Sequence, residues 1–207
     1  MLQIREFPTL ASGAEIVPAD YFVPLDLKAI YGRNAPVEVD LGCGDGSFLV
    51  EIASANPAHG FLGIERLAGR ICSACAKIAL GRLSNARVLR CDLSYAVSEL
   101  LPASSVAIFH LMFPDPWPKR RHASRRLITE QFLTSLARAL SSGGVVRVAT
   151  DETGYFRQIE RMAAASPHFV AIREPEISAA SSTFEKRFRE DGLKIHRLAL
   201  RKVSDVT

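Results

Sequence analysis

Strand-like and helix-like patterns alternate along this chain, and that alternation restricts the fold more than any other feature. Short apolar runs at residues 37–41, 61–65, 87–90, 106–113 and 145–150 have the length and content of buried strands. Segments 47–55, 67–80, 125–140 and 153–165 have helical spacing. The first stops at Asn56-Pro57, the second at Gly81 and the third at Ser141-Ser142-Gly143-Gly144. Strands separated by helices pair in parallel, because a crossover helix returns the chain to the same end of the sheet. Runs at 169–172 and 194–200 follow each other without a long helix between, which predicts an antiparallel finish at one edge. The expected architecture is α/β, a doubly wound and mainly parallel sheet. A short lead helix is expected at 26–31. At 207 residues the chain has room for one domain with a sizeable core, here 21–207, preceded by a flexible arm at 1–20.

Composition narrows the class. Hydrophobic content of 48% fits a globular protein rather than a disordered one. The net charge of +4 is a mild bias, so the placement of charge matters more than its sum. No apolar run approaches the roughly 18 residues of a membrane span. The first residues lack the basic-then-apolar order of a signal peptide, so a cytoplasmic setting is expected. Cys72 and Cys75 form a C-x-x-C pair inside an Ala-rich helical segment. Cys43 and Cys91 stand apart, so no zinc set is completed. His59, His110, His122, His168 and His196 show no metal-ligand spacing, and no metal is expected. Monomer and homodimer both stay open.

The first strand ends in Asp40-Leu41-Gly42-Cys43-Gly44-Asp45-Gly46. Gly42, Gly44 and Gly46 let the backbone approach a ligand closely. Their spacing is G-x-G-x-G, not the dinucleotide G-x-G-x-x-G, which counts against NAD. Glu65 ends the second strand, where a carboxylate can accept hydrogen bonds from ribose hydroxyls. Asp92 ends the third, placed to meet an adenine amino group or to cap a turn. Acids at three strand ends, with no phosphate-binding lysine after the glycines, favour an adenosine ligand that carries no phosphate. S-adenosylmethionine fits, because its sulfonium and amino group are cationic.

Residues 113–122, Phe-Pro-Asp-Pro-Trp-Pro-Lys-Arg-Arg-His, carry the strongest chemical signal. Each proline fixes its own φ and restricts the residue before it, so the loop is stiff. It presents Asp115, Trp117 and then Lys119, Arg120, Arg121 and His122, with Arg125 and Arg126 shortly after. Such a loop suits a flat polar base attached to a polyanion. Cations opening the expected helix oppose its macrodipole, at a cost of about 0.3–1 kcal/mol each, so an external anion explains them better than local stability. Trp117 can stack on a base or be buried. Asp151 can hold substrate or cap the helix at 153. A second basic stretch holds Lys186, Arg187, Arg189, Lys194, Arg197, Arg201 and Lys202.

Residues 40–46, 113–126, Ala149-Thr150-Asp151 and Phe184-Glu185 together resemble the bacterial tRNA (guanine-N7)-methyltransferases. The resemblance runs from about 37 to 201, and the P-D-P-W-x-K-x-R-H block is its most specific part. It implies a Rossmann-like class I methyltransferase fold, S-adenosylmethionine as cofactor, tRNA as partner and methylation of N7 of the variable-loop guanosine. In that family Asp40, Glu65, Asp92 and Asp115 match cofactor-contact acids, and Asp115 is also the catalytic position. Lys119 and Asp151 match substrate contacts. The family's T-x-[FY]-E element falls on Ser182-Thr183-Phe184-Glu185, so either Ser182 or Thr183 supplies the hydroxyl. Cys43 stands where the glycine loop often carries an aromatic. An exocyclic-amine methyltransferase, a non-catalytic RNA-binding domain and a small-molecule methyltransferase are the competing readings.

Overall fold

The alternation does build one sheet. The computed structural model describes residues 13–32, 34–117, 126–173 and 194–203. In chain order the strands are β1 (Glu15–Ile16), β2 (Val37–Leu41), β3 (Gly60–Glu65), β4 (Ala86–Arg90), β5 (Val106–Met112), β6 (Leu140–Thr150), β7 (Phe169–Ile172) and β8 (His196–Lys202). The helices are α1 (Leu27–Tyr31), α2 (Ser47–Ala55), α3 (Ala68–Leu80), α4 (Leu93–Tyr95), α5 (Glu130–Ala139) and α6 (Thr153–Ala165). A π-helical turn, Ala96–Leu100, continues α4. The sheet order is β1-β4-β3-β2-β5-β6-β8-β7, with parallel pairing throughout except for β8, which is antiparallel to β6 and β7.

Alternation within each strand separates two cores. Val37, Val39 and Leu41 of β2 point to one face with Phe109, Leu111, Val146, Val148 and Leu200. That face is covered by α5, α6 and the turn after α4, through Phe132, Leu133, Leu136, Tyr155, Ile159 and Leu100. On the other face α2 and α3 pack Phe48, Leu49, Ile52, Ile71, Ala74 and Ile78 over Phe61, Ala86 and Val88. Beneath them lie two polar residues of β2, Glu38 and Asp40, 5% and 2% exposed. Glu38 accepts hydrogen bonds from His59 Nδ1 and His110 Nε2, both at 2.7 Å. Burial alone would raise its carboxyl, but the two histidines overcome that and leave it below its ordinary value.

Three segments differ from what the sequence leads one to expect. Residues 15–16, inside the stretch expected as a loose arm, form a parallel edge strand on β4. The helix expected at 125–140 is confined to Glu130–Ala139, because Thr129 caps it by accepting from Phe132 N at 3.1 Å. Ser141-Ser142-Gly143-Gly144, expected as the stop of that helix, lies inside β6. Leu140 pairs with Val106, and the register slips before Ile108 pairs with Val145. The glycines serve that irregularity: Gly143 has φ +69, and a Cβ on Gly144 would come within 2.9 Å of Leu140 Cδ2 and 3.1 Å of the Ala107 carbonyl.

Among the described residues no helix is long and apolar enough to cross a membrane, and no group of three or more His, Cys, Asp or Glu can hold a metal ion. None of Cys43, Cys72, Cys75 and Cys91 forms a disulfide.

Candidate active site

The strand order reverses at β2. From there the chain winds to β3 and β4 on one side, then crosses to β5 and β6 on the other. Ligands of open α/β sheets bind at that reversal, beyond the carboxyl ends of the strands. Pairing sets those ends level: Leu41 with Ile64, Ile64 with Leu89, and Met112 with Ala149. The glycine loop, Glu65, Asp92, the Asp115 loop and Asp151 therefore share one rim.

The glycine loop is fixed from below. Gly42 N and Cys43 N both donate to the Ile64 carbonyl, at 2.9 and 3.1 Å. Gly63 makes room, since a Cβ there would lie 2.7 Å from Cys43 Sγ and 2.8 Å from Leu49 Cδ2. Gly46 starts α2 at φ +77, where a Cβ would stand 2.6 Å from Ala74 Cβ and 2.8 Å from Ala74 Cα. Backbone strain and a clash with α3 combine there. Gly46→Ala should lower stability by about 2–4 kcal/mol, read from denaturant unfolding. Asp45 ties the loop to its surroundings, since its carboxylate accepts from Ser47 N and from Lys77 Nζ of α3.

The acids at the rim divide by what they already hold. Glu65 Oε1 accepts from Arg66 N at 2.8 Å and Leu67 N at 2.9 Å, which shapes its own loop, while Oε2 faces Arg70 at 3.4 Å. Asp92 caps α4 through Oδ1, accepting from Ser94 N and Tyr95 N at 2.9 and 3.1 Å, and is exposed. Asp40 differs from both. It is buried, and its Oδ2 has no hydrogen-bond partner among the described residues. Burial, with the Glu65 charge adding to it, pushes its carboxyl up to about 7.

The Asp115 loop leaves β5 sharply. Phe113 adopts φ +54 and Trp117 φ +42, unusual for large side chains. Phe113 N donates to the Ala149 carbonyl at 2.8 Å, tying the loop to the end of β6. Asp115 is exposed at the tip and Trp117 is half-buried.

Arg126 holds the other end. Its Nε donates to the Pro116 carbonyl at 2.8 Å, and its terminal nitrogens reach the Trp117 carbonyl at 3.4 Å and the Gln158 side-chain oxygen. Its guanidinium also sits 5.0 Å from the centre of the Tyr155 ring. Tyr155 OH accepts from Ile128 N at 3.2 Å. Burial raises the Tyr155 phenol, the Ile128 bond and the Arg126 charge pull it down, and Asp115 pushes it slightly up, so Asp115 lies within electrostatic reach. The structure thus gives Arg126 a loop-clamping role beside the RNA contact expected of it.

At β6 the cap of α6 is Glu152, which accepts from Tyr155 N, so Asp151 is not needed as a cap. Tyr155, Gln158 and Gly63 were not visible as site residues in the sequence, because their contacts cross long sequence separations. Lys119, Arg120, Arg121, His122, Arg125, Ser182, Thr183, Phe184 and Glu185 lie outside the described residues.

A family described as putative methyltransferases matches residues 34–198. The tRNA (guanine-N(7)-)-methyltransferase of Halorhodospira halophila is 37% identical over 185 residues, covering 86% of this chain and 79% of that protein. The protein of the same name from Thermotoga maritima is 34% identical over 186 residues, covering 89% of this chain. The chain spans 59% of that protein's length, 63% of the Psychromonas ingrahamii relative and 47% of the Arthrobacter one. A 16S rRNA adenine-N1 methyltransferase from Catenulisporales acidiphilia, solved with S-adenosylmethionine, superposes with a TM-score of 0.63 at 14% identity, covering 95% of this chain and 97% of that one. The 16S rRNA methyltransferase KamB gives 0.62 at 20% identity, covering 87% and 94%. These two likenesses show a Rossmann-like class I methyltransferase fold. By the family match and the Halorhodospira alignment, the chain belongs to the family of the tRNA (guanine-N(7)-)-methyltransferases.

Proposed function

We propose that this protein transfers the methyl group of S-adenosylmethionine to N7 of the variable-loop guanosine of tRNA. The observation that carries the reading is the meeting of two loops on adjacent strands. The glycine loop ends β2, and the stiff Asp115 loop ends β5 beside it. The curated relatives that match most of the chain are named tRNA (guanine-N(7)-)-methyltransferases, which supports the reading.

The residues present fit the cofactor. Asp40 Oδ2 is a buried acceptor without a partner among the described residues, which a cationic amino group would satisfy. Glu65 Oε2 and the free side of Asp92 remain for ribose and adenine, and Gly42 and Gly44 leave open backbone above them. When bound, S-adenosylmethionine supplies a methyl group on a sulfonium.

Guanine N7 carries an exposed lone pair and no proton, so its methylation needs no general base. The protein has to align the reactants and exclude water, which lowers a barrier by roughly 7–11 kcal/mol at best. Asp115 acts as an orienting acceptor for the N1–H and amino group of guanine; adenine offers an acceptor at N1 and is rejected. Lys119, Asp151 and the Ser182–Glu185 element complete the substrate contacts. With tRNA as partner, a cytoplasmic setting follows.

Arg126 sets the loop's position. Arg126→Lys keeps the charge but loses the planar fork that reaches two carbonyls and Gln158. Turnover should fall about tenfold, on the order of 1.4 kcal/mol, with cofactor affinity unchanged in a direct titration. The function itself is tested by incubating the protein with unmodified tRNA and labelled S-adenosylmethionine, then analysing nucleosides. The expected product is 7-methylguanosine from the variable loop. Label in an exocyclic-amine product, or no label in RNA, would overturn the reading.

A further inference from the structure

Much of the sheet beneath α2 and α3 is apolar, with Phe61, Ala86 and Val88 facing the helices. One column of β2 is not. Glu38 and Asp40, two residues apart, point to that same side, and both are buried. His110 of β5 pairs with Asp40 in the parallel register, so its side chain stands on the same side, next to the acid that would receive the cofactor's amino group. His110 is 1% exposed. Its Nε2 donates to Glu38 Oε2 at 2.7 Å, and His59 Nδ1, at the entry to β3, donates to Oε1 at the same distance.

Packing alone does not call for this cluster. Taking a carboxylate out of water is costly, and apolar residues of similar volume often hold a core as well or better. What the carboxylate adds is direction. Glu38 is buried, yet the two imidazoles keep its carboxyl below the ordinary value. A carboxylate only accepts, so the His110 nitrogen facing it carries a proton, and the ring is held in one orientation. The ring so held meets Phe48 edge to face, with centroids 5.3 Å apart and planes at 70°. Phe48 is the second residue of α2. Just before α2, Gly46 N donates to the Cys43 carbonyl, and the Gly46 carbonyl accepts from Val50 N, both at 2.9 Å. The glycine loop and the first turn of α2 are therefore one piece.

We propose that His110 is a positioning residue for the cofactor site and that Glu38 is the group that orients it. Glu38 aims the imidazole, the imidazole seats Phe48, and Phe48 fixes the glycine loop relative to Asp40. The pair acts through Phe48 and the loop, not by contact with the reactants.

The inference rests on S-adenosylmethionine being the cofactor, and the experiment separates the two. S-adenosylhomocysteine and unmodified tRNA are each titrated against wild type, E38Q and the apolar double variant E38L/H110F. Titrations are run well below the melting temperatures, which are measured in parallel. E38Q keeps the volume but sets an amide N–H against one imidazole N–H. E38L/H110F refills the site with apolar groups and keeps a ring under Phe48, so it should melt no lower than E38Q. A role in stability alone predicts that the double variant recovers cofactor affinity as well. The positioning role predicts that S-adenosylhomocysteine affinity falls about tenfold in both variants while tRNA affinity stays within about twofold. Wild-type S-adenosylhomocysteine affinity in either folded variant would overturn it. So would an equal loss for both ligands, which marks a general loss of structure, or failure of E38Q to fold, which shows that the pair serves the core. If wild type itself binds no S-adenosylhomocysteine, the cofactor reading fails first and this inference with it.

Discussion

Asp115→Asn should lower methyl transfer by about 10²–10³-fold, the loss seen when one preorganised polar group is removed from a reacting centre. Asparagine has nearly the same shape but replaces one acceptor with a donor. That donor would face the N1–H and amino group of guanine, turning two attractions into at least one repulsion. The loop should survive, because its geometry comes from Pro114, Pro116, the Phe113–Ala149 bond and the Arg126 clamp, none of which uses the carboxylate. Single-turnover kinetics with saturating tRNA and cofactor isolates the step. The expected pattern is a fall in rate with S-adenosylhomocysteine affinity changed by less than about twofold. If affinity falls as far as rate, Asp115 serves mainly to bind cofactor, as the family resemblance also allows.

The second large effect concerns Asp40. Its carboxyl stands at about 7 in the free protein, raised by burial and then by Glu65. The folded state therefore holds a proton that the unfolded chain, near 3.8, releases. This group's stabilisation is full below about 3.8, declines as pH rises, and is gone above about 7. A bound cationic amino group reverses the preference and holds the carboxylate ionised. Cofactor binding below pH 7 should then release close to one proton, and affinity should weaken about tenfold per pH unit. Calorimetry in buffers of different ionisation enthalpy measures that release, which should vanish by pH 8. Asp40→Asn should abolish the pH dependence and cost on the order of 100-fold in affinity at pH 8, the loss expected from breaking a buried charge pair. Affinity flat between pH 5.5 and 8 would contradict the assignment.

Local patterns proved readable and long-range contacts did not. Helices α2 and α6 and strand β2 span the residues that spacing predicts, because their apolar periods and stops are written within each segment. The parallel sheet and antiparallel edge followed from element order. The glycine loop was recognisable from its own spacing, yet the orphaned oxygen of Asp40 depends on burial that only the assembled sheet supplies. Gly143-Gly144 misled because the same dipeptide suits a turn or a strand irregularity, and only pairing with Val106 and Ile108 decides between them. Arg126 looked like one more cation in a basic run. Its tie to Gln158 spans 32 residues, which no local pattern announces. Arg147, Arg197 and Arg201 come from β6 and β8, and register alone places them on one side of the sheet.

The central claim is that a guanine lone pair at N7 attacks unaided once the two loops align it. The most direct measurement uses tRNA carrying 7-deazaguanosine at the variable-loop position, where a C–H replaces N7 and the Watson–Crick edge is unchanged. The account predicts tRNA binding within about threefold of unmodified tRNA, a difference of about 0.7 kcal/mol, and no methyl transfer to that residue. Methylation of the deaza nucleotide at the wild-type rate would contradict it, because the methyl group would then be going to another atom.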